Sequence, residues 1–558
     1  MRVCLFFVLA AAALAQPAPV MVISVDTLRA DRLSAYGYRK QRTPNLDSFA
    51  DHATLYENAA CATPLTLPSH ASLFTSTYPY ENRIQENAEP VPPGAVTLAG
   101  VLKQHGYRTA AFIGSVFLER RMGLDQGFDE YDSPFDFRVL SPMSGEMFYA
   151  GESRNPYAIR DRRDGSIVVA STIRWLAAHK GEQTFVFVHL FDMHLPYQHG
   201  ADYDAQLAYV DQTLGTFKQA LVRGGWWDRS LVVLLSDHGE SLGDHGEASH
   251  GYFIYQSTMA VPLMIHWPAG AAAAPAREPH PVGLVDVAPT ILDALHISAP
   301  PSFHGQSLLA ARRPPWVFGE SVHAYDAFGW SPLRSLRIGD YKFIEAPRPE
   351  LYNLAADPGE IHNLAATDGV RVQSMRGELA NLMSRLRPKG PAPSTNLSAR
   401  DRALLGSLGY VAPGPQTTAT GPRSDPKDRM AEFRLYEDSQ VLLYRRRLPE
   451  AIAALRKLVT QDPRNTLARR DLGGAYLEQK QYAKAREELA RVLLAAPNDY
   501  VTLYQLGLAC EHSGLLQQAL GHLEAACKVA PDSVPCKTEL DAVRKNSLQP
   551  RMNADKRR

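Results

Sequence analysis

Val20-Met21-Val22-Ile23-Ser24-Val25 is an almost unbroken apolar, β-branched run, and Asp26 follows it at once. Such a run reads as a strand covered on both faces, as in a parallel sheet buried between helices. Two further runs, at 185–190 and 231–235, read the same way. Asp192 and His194 follow the first, Asp237 and His238 the second. Ligands of open α/β sheets bind beyond the carboxyl ends of the strands, so these groups can converge on one site. From residue 20 to 310 strand-like runs alternate with helical stretches, which predicts an α/β domain.

Outward from that domain the pattern changes. Residues 315–387 hold short strand-like pieces, Tyr341-Lys342-Phe343-Ile344 and Glu350-Leu351-Tyr352-Asn353-Leu354, expected to form a small antiparallel subdomain. Residues 388–428 are rich in Pro, Gly, Ser and Thr and read as a linker with one short helix near 402–408. Beyond it, Pro463, Pro497 and Pro531 recur every 34 residues, as do Ala451, Ala485 and Ala519, and Gly473 and Gly507 share the interval. Thirty-four is the tetratricopeptide period. Small residues sit where the two helices of a hairpin meet, and Pro closes the second helix. Residues 432–548 therefore predict an all-α domain of three repeats, at 432–465, 466–499 and 500–533, with a capping helix to 548. The first repeat departs from the pattern, with Asp438 and Ser439 standing where Leu472 and Gly473 stand in the second.

Lys plus Arg and Asp plus Glu both number 59, so no basic excess favours nucleic acid as a partner. Arg2, the apolar residues 3–14 and Ala13-Leu14-Ala15 read as a secretory signal over 1–15 and predict a periplasmic or secreted protein. The apolar run is shorter than the roughly 20 residues of a spanning helix, so no membrane span is expected after cleavage. Cys61, Cys510, Cys527 and Cys536 remain, and an oxidising compartment would permit a disulfide between two of the last three.

Five segments occur in the order found in sulfatase-like enzymes of the alkaline phosphatase superfamily. They are Asp26-Thr27-Leu28-Arg29-Ala30-Asp31, Thr43-Pro44-Asn45-Leu46-Asp47, Leu67-Pro68-Ser69-His70-Ala71-Ser72-Leu73, Ser236-Asp237-His238-Gly239-Glu240 and Glu350-Leu351-Tyr352-Asn353-Leu354. Residues 20–370 resemble that family, which implies an alkaline-phosphatase-like core that hydrolyses or transfers ester groups. The resemblance implies a metal held by Asp26, Asp237 and His238, with Thr66 as nucleophile and additional ligand. Sulfatases carry Cys or Ser there, four residues before an Arg, and convert it to formylglycine; here Thr66 and His70 occupy those positions, so no formylglycine is expected. Ser115 and Phe117 replace a Lys and a His that contact sulfate in such enzymes.

A formylglycine hydrate releases sulfate by collapsing to an aldehyde, whereas a threonyl ester must be cleaved by a second nucleophile, which phosphorus tolerates better. A threonine hydroxyl on a divalent cation is a workable nucleophile. Thr66 also precedes Pro68 and a short apolar helix whose free N–H groups favour an anion. The donor set suits zinc or manganese best, with magnesium or calcium if oxygen donors dominate. By resemblance His194 and His250 contact the transferring group, or join Asp192 in holding a second metal. His70 and Arg29 are further candidates for substrate binding, although Arg29 also stands ready to pair with Asp31. The expected activity is cleavage or transfer of phosphate mono- or diesters. Alternatives are sulfuric ester hydrolysis and a non-catalytic scaffold acting through the repeats, which are expected to dock a protein or peptide in a concave groove.

Overall fold

The structure, a computed structural model, describes residues 18–135, 162–270, 276–388, 422–531 and 533–555. The expected signal at 1–15, most of the linker and its helix near 402–408 lie outside these residues.

Among the described residues ten strands build the front domain: β1 (Val20–Val25), β2 (Thr54–Tyr56), β3 (Ala59–Ala60), β4 (Arg108–Phe112), β5 (Glu130–Asp132), β6 (Thr184–Leu190), β7 (Leu231–Leu235), β8 (Leu263–His266), β9 (Arg277–Glu278) and β10 (Val282–Gly283). Eight of them form one sheet in the order β5-β4-β6-β1-β7-β8-β2-β9, and β10 pairs with β3 beside it. The centre is parallel, β1 lying between β6 and β7 with Ser24 opposite both His189 and Leu235. β8 runs antiparallel to β7.

Alternation along the strands sorts their side chains by face. Met21, Ile23, Val186 and Val188 pack with Val168, Leu176, Leu207 and Val210 of the helices Gly165–Ala178 and Tyr203–Gly224. Val20, Val22, Phe185 and Phe187 face the other way, against Leu67, Ala71 and Phe74 of the helix Thr66–Thr75. Each such side chain contributes about 1.5–3 kcal/mol on burial, and together they fix this helix beneath the strand ends.

The second sheet is antiparallel, β11 (Trp316–Ser321), β12 (Leu333–Ile338), β13 (Tyr341–Glu345) and β14 (Glu350–Asn353) in that order. Sequence pattern points to β13 and β14 but not to their two neighbours. Gly319 and Glu320 interrupt β11, and Arg334 and Arg337 interrupt β12. The inward side chains Phe318, Leu336, Phe343 and Leu351 pack on Met375 and Leu379 of the helix Gly369–Arg385.

Seven α-helices follow among the described residues: Met430–Tyr444, Leu448–Gln461, Thr466–Glu478, Tyr482–Ala495, Tyr500–His512, Leu516–Val529 and Val534–Asp555. They form the tetratricopeptide hairpins, and Cys527 is bonded to Cys536. The last stretch of the expected linker is not open chain. Ser331 donates its amide to the carbonyl of Ser424 at 2.9 Å, and buried Asp425 receives the amide of Arg348 at 3.0 Å. The first repeat helix docks on the front domain: Phe433, 2% exposed, fills a pocket of Tyr252, Phe328, Trp330 and Leu467. Beside it Arg434 Nε donates to the carbonyl of Gly246 at 3.2 Å.

Candidate active site

Because β6, β1 and β7 are adjacent and parallel, their carboxyl ends deliver side chains to one place. Asp26 follows β1 and donates its amide to Leu190 at the end of β6, at 2.9 Å. Thr27 follows at φ 53°, a left-handed conformation that a β-branched residue avoids, and the turn it makes fixes Asp26 at the sheet edge. Asp237 and His238 follow β7, and Gly239 comes next because a Cβ there would collide with the carbonyl of Ser257. Thr66 is the first residue of its helix, whose capping position is taken by Leu65 without a side-chain bond, so the threonine hydroxyl is not spent on capping. Its Oγ1 donates to Asp26 Oδ2 at 3.3 Å and lies 3.4 Å from His238 Nε2.

One ligand atom each from Asp26, Asp237 and His238 falls within 4.8 Å of the others, and all three residues are buried. Asp26 Oδ1 and Asp237 Oδ2 receive no hydrogen bond among the described residues. Burial pushes the Asp26 carboxyl up to about 6. Burial and the neighbouring Asp26 push Asp237 up as well. Two desolvated carboxylates side by side with orphan oxygens are costly unless a cation compensates them, so the residues fit a divalent metal. Two carboxylates, an imidazole and a hydroxyl are the donors the site offers such an ion.

His250 and His194 extend the cluster to one side. The His250 ring centroid is 4.4 Å from that of His238 and 5.2 Å from that of His194. Glu240, fully buried, holds His250 Nδ1 at 3.2 Å and is pushed up to about 8 by its burial. Burial likewise lowers His250 to about 4 and drives His194 well below its ordinary value, which keeps both imidazoles neutral. His194 stacks on Phe191 at 4.5 Å, and Arg162 gathers the carbonyls of His194, Leu195 and Pro196 at 2.9–3.0 Å.

Three expectations are corrected. Asp192 does not join His194 and His250: the chain turns after β6, with His194 N donating to Phe191 O at 3.2 Å, and Asp192 Oδ1 instead accepts the Gly165 amide at 3.0 Å. Arg29 is not open to substrate. Its guanidinium, 6% exposed, is held by Asp31 and Asp244 at 2.8 Å and by the carbonyls of Glu240 and Ser241. His70 does not face substrate either; it is fully buried behind the site, its Nδ1 at 2.7 Å from the Thr66 carbonyl and its Nε2 at 2.9 Å from Ser24 Oγ. From there Nδ1 also lies 3.5 Å from Asp237 Oδ2.

Sequence reasoning gave no role to His189, whose Nε2 lies 3.5 Å from Asp26 Oδ2 and whose ring centroid is 5.0 Å from that of His70. A lone histidine inside the apolar run of β6, directed to the face of the Thr66–Thr75 helix, was the available signal. Glu240 was quoted within a motif without a function.

A family model described as sulfatase matches residues 19–297, half of the chain. The chain belongs to the sulfatase family. A second family model, N-sulphoglucosamine sulphohydrolase, C-terminal, matches residues 243–389, and a tetratricopeptide-repeat model matches residues 442–508. This sulfatase-family protein is similar to arylsulfatase K of Mus musculus, with 24% identity over 458 residues that cover 65% of this chain and 82% of that one. It is similar to choline-sulfatase of Rhizobium meliloti at 24% identity over 427 residues, covering 62% and 82%. The solved phosphonate monoester hydrolase of Agrobacterium radiobacter has the same fold, with a TM-score of 0.55 at 20% identity, covering 66% of this chain and 96% of that one. The protein is thus a sulfatase-family hydrolase with an alkaline-phosphatase-like core, followed by tetratricopeptide repeats. Among the described residues no helix is long and apolar enough to cross a membrane.

Proposed function

We propose that the protein is an exported, metal-dependent enzyme that cleaves or transfers phosphate mono- or diesters through Thr66. The Thr66 hydroxyl, 3.3 Å from Asp26 and 3.4 Å from His238, carries this reading, because that side chain cannot become formylglycine. Asp26, Asp237 and His238, with Thr66 itself, would hold a divalent cation; when bound it lowers the hydroxyl pKa and neutralises the anionic ester. Thr66 Oγ attacks phosphorus, the bond to the leaving oxygen breaks, and the departing alkoxide takes up a proton. Water or another acceptor then displaces the threonyl phosphate and restores the hydroxyl. His250 steadies the transferring oxygens beside the neutral His194 ring, whose Nδ1–H is given to the Leu195 carbonyl at 2.6 Å, and the buried Glu240 fixes the orientation of His250. The residues expected at 1–15 address the chain to the periplasm or outside, and the repeats dock a protein or peptide.

The second reading, sulfuric ester hydrolysis, is favoured by the names arylsulfatase K and choline-sulfatase carried by the relatives. Aryl sulfate and phosphate mono- and diesters assayed side by side with Zn2+ or Mn2+ separate the two. Faster turnover of a phosphate ester, with a phosphorylated Thr66 peptide in acid-quenched enzyme, is expected. Clear preference for sulfate, without such a peptide, would overturn the proposal.

A further inference from the structure

Asp192, turned away from the catalytic histidines, belongs to a second cluster at the rim. Its Oδ1 is taken by the Gly165 amide, at the first residue of the helix Gly165–Ala178. Position 165 is glycine, and a Cβ there would lie 2.5 Å from Asp192 Oδ2. That second oxygen is buried and receives no hydrogen bond among the described residues, in a side chain whose residue is 8% exposed. Asp164 caps the same helix and spends Oδ1 on the Ser166 amide at 2.9 Å and the Tyr209 hydroxyl at 2.7 Å. Its Oδ2 is left to His199 Nε2 at 2.6 Å, and the His199 ring lies flat on Tyr209 at 3.7 Å.

One ligand atom each from Asp164, Asp192 and His199 thus lies within 4.8 Å of the others, outside the Asp26, Asp237 and His238 set. Helix amides alone account for Asp164, an ordinary cap. They do not account for Asp192, which gives one oxygen to the helix and buries the other beside a like charge. We propose that Asp164, Asp192 and His199 form a rim site for a divalent transition ion such as Zn2+. Two carboxylate oxygens and one imidazole nitrogen supply three ligands, and the side toward solvent, where His199 is 32% exposed, leaves room for water as a fourth. The Asp164 to His199 contact would open from 2.6 Å to about 3.3 Å around a tetrahedral ion. Bound there, the ion ties the segment carrying His194, two residues beyond Asp192, to the start of the helix.

The test is metal stoichiometry of the full chain, stripped with a chelator and dialysed against Zn2+. His199→Ala and Asp164→Asn are expected to retain one equivalent fewer than wild type, with unchanged far-UV circular dichroism. Both alter side chains at the surface of the cluster, so folding is not at stake as it would be at Asp192. The difference of one equivalent is read whatever the catalytic centre retains, so it stands or falls apart from the proposal for Thr66. Equal zinc content in wild type and His199→Ala would overturn the rim site.

Discussion

The catalytic centre and the repeats are both densely buried, yet they are filled with opposite chemistry. Around Thr66 the chain buries Asp26, Asp237, Glu240 and the rings of His70, His189, His194, His238 and His250. In the repeats the interior includes Leu455, Leu472, Leu489, Leu506 and Leu523 with Ala485 and Ala519, and Ala451 is fully buried as well. The apolar interior gains free energy from each residue it covers. The polar one loses it until a ligand completes the site. Buried charge without a partner is therefore where function is to be sought, and periodic small and apolar residues are where stability is.

The largest contrast is in what a single truncation does. Thr66→Ala is expected to lower kcat/KM by at least about a thousand-fold on the best ester, with little change in Tm. Repeat substitutions should do the reverse. Wild-type turnover in Thr66→Ala would erase the distinction and remove the nucleophile.

Metal removal comes next. At free Zn2+ or Mn2+ about a thousand times Kd, the loaded protein should be more stable than the stripped one by roughly 4 kcal/mol. Burial raises Asp26 from its ordinary 3.8 to about 6, so the folded, stripped chain holds that proton more tightly than the unfolded chain does. The stripped chain is therefore penalised by this carboxylate above about pH 6, by roughly 3 kcal/mol, and not below pH 4. A bound cation offsets the penalty, so the gap in Tm between loaded and stripped protein should be full near pH 7.5 and shrink as pH falls through 6. A gap independent of pH would mean that the cation does not bind the Asp26 carboxylate.

How much of each region could be read from sequence follows from the same contrast. The repeats spell their packing every 34 residues, and β1, β6 and β7 announce themselves as apolar runs ending in acids or histidines. The Thr66, Asp26, Asp237 and His238 grouping was legible through motifs. The direction of a side chain after a strand was not. Asp192 and His194 are two apart, which in an extended chain points them the same way, but the turn at Phe191 sends them to different clusters. His189 was hidden by its own strand, since one imidazole in an apolar run leaves no periodic trace. Arg29 and His70 were legible as polar and near the site, not as already committed to Asp31, Asp244 and Ser24.

Phe433 stands where the two regions meet, its ring centroid 4.1 Å from that of Tyr252. Tyr252 closes the segment that begins at Gly239 and carries His250, and Glu247 braces it by accepting the Tyr252 amide at 2.8 Å and the Ser241 hydroxyl at 2.9 Å. Phe433→Ala is expected to cost about 3 kcal/mol in denaturant unfolding and to lower kcat severalfold, because His250 loses part of its support. Lost stability with unchanged kcat would show that the regions are joined but independent.

The smallest effects test the repeat packing itself, and they should differ in sign. Gly507 lies against Leu523, and a Cβ there would come within 2.7 Å of Leu523 Cγ, a side chain that is fully buried and cannot swing away. Gly521 lies in the middle of the helix Leu516–Val529 with nothing within 4 Å of the same position. Both substitutions to Ala gain about 1 kcal/mol of helix propensity. At Gly521 that gain is the whole effect, so Gly521→Ala should raise Tm by a few degrees. At Gly507 overpacking costs about 1–3 kcal/mol and outweighs it, so Gly507→Ala should lower Tm. Ser439, which occupies the corresponding place in the first repeat, already carries a Cβ and returns its hydroxyl to the Tyr436 carbonyl at 2.6 Å. The first hairpin is thus built to admit what the third excludes, and Ser439→Gly, which opens space without relieving a clash, should destabilise by about 0.5 kcal/mol through propensity, with the hydroxyl's bond to Tyr436 lost besides.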